Sequence, residues 1–137
     1  MPTSILVFES QSRNPRRQVG RLVAKGNSVV SLTSAEMAKE LISRCVDLFG
    51  LVLLDASAGG TRSLCSELRR VGFWKSIVIF DGAIGEDALV DALDAGADDF
   101  LPAGCSMRET EGRLNARLRD ADCHQVAPRQ VRTRRLD

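Results

Sequence analysis

Five short apolar runs, set between segments of helical period, limit what this chain can fold into more than any other feature. They occupy residues 5–8, 28–32, 51–54, 76–80 and 99–101. The first, third and fourth are continuously hydrophobic rather than alternating. A strand of that kind must be covered on both faces, as in a parallel sheet with helices above and below it.

The intervening segments supply those helices. The first has Asn14 as N-cap, Pro15 at the first helical position, a stripe of Val19, Leu22 and Val23, and Gly26 as its stop. The second opens on Thr33-Ser-Ala-Glu36, a capping-box pattern, and is expected to bury Met37, Leu41 and Cys45. The third spans about 61–71 through Leu64 and Leu68. The fourth begins at Glu86-Asp87 and closes at Gly96 after Leu89, Val90 and Leu93. The fifth starts with a second capping box, Ser106-Met-Arg-Glu109, and presents Met107, Leu114 and Leu118. The order is (βα)5. Short, right-handed crossovers then give an α/β fold with a five-stranded parallel sheet and helices on both faces. Chemistry in such a sheet gathers at the carboxyl ends of the strands, here Glu9, Ser10, Asp55, Asp81, Pro102 and Ala103.

Composition removes several alternatives. With 137 residues the chain holds about one domain, and 19 basic against 18 acidic residues leave no overall field. Four arginines and one aspartate lie after Gln125, so what precedes them has 15 basic and 17 acidic residues. This divides the chain into a domain over 1–123 and a basic tail over 124–137. No apolar run is long enough for a membrane span, and a cytoplasmic location with no membrane partner is expected. Cys45, Cys65, Cys105 and Cys123 stand singly beside one histidine, which argues against a zinc site. Cys123-His124 has no carboxylate in register to orient it and reads as a helix end. One Trp and no Tyr leave no sugar-binding platform, and Ala58-Gly59-Gly60 lacks the spacing and lysine of a phosphate loop.

Leu51-Val-Leu-Leu-Asp55, followed by Leu93-Asp-Ala-Gly-Ala-Asp-Asp-Phe100, resembles the receiver domain of two-component response regulators, the OmpR/PhoB-type branch in particular. The similarity covers roughly residues 4–122 and implies a flavodoxin-like (βα)5 fold. It also implies a pocket of five parts: two acids after the first strand, an acceptor aspartate ending the third, a hydroxyl ending the fourth, and a lysine after the fifth. The acids and acceptor hold magnesium, which neutralises an incoming phosphoryl group. On this pattern Asp55 is the phosphoacceptor equivalent and Glu9 the first acid. The remaining three positions depart from it: Ser10 replaces the second acid, Asp81 the switch hydroxyl and Ala103 the lysine.

Charge then decides against phosphorylation. A phosphoryl group adds about −1.5 to −2 charges beside Asp81, with no lysine to balance them. No cofactor is expected, and magnesium binding is doubtful. Three readings of Glu9, Asp55 and Asp81 stand side by side. They form a cation site, or they share a proton as an acid-sensitive cluster, or they are solvated carboxylates at strand ends.

The resemblance also implies a dimer face made by the fourth and fifth helices and the fifth strand. Asp98, Asp99, Glu109, Arg113 and Arg119 match or nearly match its acid–arginine set, while Leu89 stands where a basic residue is usual. A homodimer through this face would be isologous, each pair occurring twice. The first helix carries Arg13, Arg16, Arg17, Arg21 and Lys25, either a solvated face or a contact for an acidic partner. The tail resembles a linker opening into a winged-helix DNA-binding domain. The expectation is a non-enzymatic, phosphorylation-independent receiver module of a transcriptional regulator. The alternatives are a stand-alone protein-binding adaptor and a receiver weakly phosphorylated on Asp55.

Overall fold

The computed structural model describes residues 4–9, 26–56, 60–82, 86–102 and 106–123. Its strands are β1 (Ser4–Phe8), β2 (Ser28–Leu32), β3 (Phe49–Asp55), β4 (Ser76–Gly82) and β5 (Asp99–Pro102). They form one parallel sheet in the order β2-β1-β3-β4-β5. The described helices are Ala35–Arg44, Thr61–Arg70, Glu86–Asp94 and Met107–Cys123. The helix expected over 14–25 lies outside the described residues.

The continuous apolar strands are explained by two separate cores. One face packs Leu6, Val52, Leu54, Ile77 and Ile79 against Ala38, Ile42, Leu64, Leu68 and Ala92 of three helices. The other packs Ile5, Val7, Leu51, Leu53, Val78 and Phe80 against Leu114 of the 107–123 helix. Strand β3 lies in the middle of the sheet and is buried along its whole length. It begins at Phe49, two residues earlier than the apolar run suggests, because Phe49 and Gly50 are also covered.

One expected helix face is corrected. Met37 is 58% exposed, and the 35–44 helix buries Ala38 and Ile42, with Leu41 and Cys45 only half-buried. Ala38 and Ile42 take the close contact with the sheet, which turns Met37 outward. Ser34, not Thr33, is the N-cap, its hydroxyl accepting from the Met37 amide at 3.2 Å. In the 86–94 helix, Val90 and Leu93 are 46% and 45% exposed, while Ala92 and Ala95 are buried. Small residues let this helix sit close to the sheet, and the larger ones are turned outward. The second capping box is present as expected, the Glu109 amide donating to Ser106 Oγ at 3.0 Å.

Cys65 is fully buried among these side chains. Burial pushes its thiol up to about 11, offset in part by Arg69 and reinforced by Asp98. The native state therefore holds this proton more tightly than the unfolded chain, so the contribution is intact below about pH 9 and fades between pH 9 and 11. Cys65 should resist a thiol-specific reagent at pH 8 until the protein unfolds. Above pH 9, urea midpoints should fall more steeply for the natural chain than for Cys65→Ala.

Candidate functional site

The strand ends bring two of the expected pocket acids to one level. Phe8 is in register with Leu54, so Glu9 and Asp55 follow at the same height on neighbouring strands, about 5 Å apart in backbone. Asp55 is paired with Phe80, and Asp81 is the next residue on β4. Asp55 closes β3 and is fully buried. Its backbone is held by Thr61, whose buried hydroxyl donates to the Asp55 carbonyl at 2.8 Å. Gly60 makes that short return feasible, with a φ of 85° at the helix N-cap.

Glu9 is half-buried, and its carboxylate accepts the hydroxyl of Ser31 on β2. Its amide donates to the Leu32 carbonyl at 2.9 Å. Both bonds draw Glu9 toward β2, the side of β1 away from Asp55. Ser10 and Ala103 lie outside the described residues, and the side chain of Asp81 is not described. Among the described residues, no three Asp, Glu, His or Cys side chains gather as a metal cluster. Magnesium is held by one or two carboxylates with water and phosphate oxygens completing its shell, and of the expected donors the structure describes Asp55 and Glu9, the latter engaged by the Ser31 hydroxyl.

At the opposite edge of the sheet lies a polar cluster whose centre the sequence does not advertise. The Arg69 guanidinium donates to Phe73 O at 2.9 Å, Lys75 O at 2.8 Å and Gly96 O at 2.7 and 3.0 Å. It also meets Asp98 Oδ2 at 2.8 Å, and the same oxygen accepts the Ile77 amide at 2.8 Å. One planar cation thus ties the end of the 61–70 helix to the start of β4 and the turn before β5. Gly96 has a φ of 112°, and a Cβ there would stand 2.9 Å from Arg69 Cγ. Positive φ and the close approach of Arg69 both require glycine.

The expected dimer-face residues are therefore found in two different settings. Asp98 belongs to the Arg69 cluster. Asp99 is paired with Arg113 of the same chain at 3.0 Å, and Arg113 also meets Glu109 at 3.0 Å. Arg117, not singled out from the sequence, donates to the Asp98 carbonyl at 3.2 Å. Arg119 is exposed, and Leu89 lies on the 86–94 helix with its side chain outside the description. Alternation along β2 could have drawn attention to Ser31. Nothing in Arg69-Arg70 distinguishes the clamped arginine from its surface neighbour, which pairs with Glu67.

With this geometry in view, known proteins fall into place around the chain. No family model matches it. Over 132 residues, 95% of the chain, it is 32% identical to the alginate biosynthesis transcriptional regulatory protein AlgB of Pseudomonas putida and of Pseudomonas aeruginosa. The chain spans 27% of the length of those relatives. Among solved structures, the signal receiver domain of a LuxO repressor protein from Vibrio parahaemolyticus matches with a TM-score of 0.79 at 15% identity. That match covers 92% of this chain and 97% of the other. The beryllofluoride-activated NtrC4 receiver domain dimer matches with a TM-score of 0.74 at 15% identity, over 86% and 98% of the two chains. The chain is a receiver domain of the two-component response-regulator family.

The Arg69 cluster makes a clear demand on stability. Arg69→Met should cost about 1–3 kcal/mol, since it strands the part-buried carbonyls of Phe73, Lys75 and Gly96. Arg69→Lys should recover little of this, because a single ammonium cannot reproduce the planar fork. Urea denaturation of the two variants measures both effects.

Proposed function

We propose that this domain works as a phosphorylation-independent receiver module of a transcriptional regulator. The observation that carries the reading is the joint replacement of the second acid, switch hydroxyl and lysine by Ser10, Asp81 and Ala103, beside an Asp55 that is fully buried. An acceptor in that setting has no lysine, and one acid fewer for a metal, to neutralise a transferred phosphoryl group. The draw of Glu9 toward Ser31 supports the same reading. On this account the domain is not an enzyme, needs no magnesium and acts in the cytoplasm. Among the described residues no helix is long and apolar enough to cross a membrane.

Output then runs through association. In our reading two copies meet through the 86–94 helix, β5 and the 107–123 helix, with DNA contacted by an effector domain elsewhere in the full protein. The AlgB relatives are transcriptional regulatory proteins by name, and the NtrC4 receiver is a dimer, which is consistent with this use. Asp99, Glu109 and Arg113 already pair within one chain. Dimerisation would exchange these pairs between copies, each occurring twice, and they would contribute to both alignment and affinity. The outward Val90 and Leu93 then supply apolar contact.

Incubating the protein with acetyl phosphate and magnesium should leave its intact mass unchanged. A gain of one phosphoryl group that disappears in Asp55→Ala would overturn the reading. Millimolar magnesium should likewise leave the melting temperature where it is.

The interface makes a separate prediction. Sedimentation should show a dimer that is weakened about tenfold or more in Arg113→Ala combined with Asp99→Ala. A dimer indifferent to both substitutions would remove this face from the proposal.

A further inference from the structure

The outward face of the 86–94 helix is mixed in a specific way. Asp87, Asp91 and Asp94 are exposed and spaced by four and three residues, so they form one acidic row. Val90 and Leu93 flank that row and are 46% and 45% exposed. Between Lys75 and Arg108 the chain has seven acidic residues and no lysine or arginine. Arg69 and Arg113 are directed to Asp98 and Asp99. Among the described residues no ion pair engages Asp87, Asp91 or Asp94.

The complementary surface is carried by the same chain. Arg129, Arg132, Arg134 and Arg135 fall within seven positions, interleaved and bordered by Val126, Val131 and Leu136. Topology brings this segment within reach. The 86–94 helix returns from the end of β4 to the start of β5, and the 107–123 helix returns in the same direction from the end of β5. Both helices therefore end at the same edge of the sheet, on opposite faces of it. Helix axes on the two faces lie roughly 20 Å apart, taking about 10 Å per packed layer. The six residues from His124 to Arg129 span about 20 Å when extended, comparable with that separation for a path across the end of the sheet where both helices finish. The 129–135 stretch then matches a nine-residue helix, about 13 Å long.

We propose that the basic tail, residues 126–136, docks on the acidic and apolar face of the 86–94 helix of its own chain. The arginines meet Asp87, Asp91 and Asp94, and Val131 and Leu136 cover Val90 and Leu93. Docked in this way, the tail occupies part of the surface that a second copy would use. The contact does not depend on whether Asp55 can be phosphorylated.

The test uses the whole chain, at a concentration where sedimentation finds it monomeric. Amide spectra are compared for the natural chain, for Arg129, Arg132, Arg134 and Arg135 all changed to Glu, for Asp87, Asp91 and Asp94 all changed to Lys, and for the combination. The tail variant should shift the amides of 87–94 while leaving those of 49–55 in place. The combination, with both signs exchanged, should return the 87–94 amides toward their natural positions. Unmoved 87–94 amides in the tail variant would overturn the proposal. So would effects that vanish on tenfold dilution, since these would assign the contact to a second copy. If the Asp→Lys variant fails to fold, the tail variant still decides, together with loss of the natural-chain shifts in high salt.

Discussion

Everything in this domain depends on covering both faces of β3. A central parallel strand with no polar side chain before Asp55 cannot exist in water; it must find helices above and below. That single requirement accounts for the two cores, the alternation of strands and helices, and the position of the outer strands. It also delivers Asp55 to the surface end of the most buried element, where Thr61 fixes its backbone.

The two ends of the sheet are treated differently. At the carboxyl ends, where the receiver family places its chemistry, Glu9 leans toward Ser31 and Asp55 is held through its backbone by Thr61. At the amino ends, Arg69 satisfies three backbone carbonyls through four contacts, and one carboxylate, tying the 61–70 helix and the start of β4 to the turn before β5, 27 residues away in sequence. The better-ordered polar chemistry of the described residues is thus structural. Asp98 takes part in it, so the acidic pair before β5 divides: Asp98 is directed inward to Arg69, and Asp99 toward Arg113.

The strands were legible in the sequence because a continuous apolar run has few other uses. The helices were legible from their caps, but a cap does not say which stripe packs: Ala38 and Ile42 are buried, one position, or about 100°, on from Met37 and Leu41. The direction of Val90 and Leu93 has no sequence signal of its own: apolar period alone does not reveal that alanines take the close contact with the sheet. Asp55 and Glu9 were visible as strand-end acids. Ser31 and Arg69 were not, since a serine on a half-exposed strand and an arginine beside another arginine carry no local signature. Their roles arise from pairings across 22 and 27 residues, which only the folded register supplies.

Strand β5 has a further consequence through its own composition. It is the last strand of the sheet, four residues long, opened by Asp98-Asp99 and closed by Pro102. An open strand edge invites another chain to pair with it and seeds aggregation. Here ion-paired side chains crowd one end, Asp98 with Arg69 and Asp99 with Arg113, and a residue with no amide hydrogen guards the other. Sheet extension by a neighbouring copy is discouraged, which steers association to the helical surfaces beside this edge and away from β-augmentation.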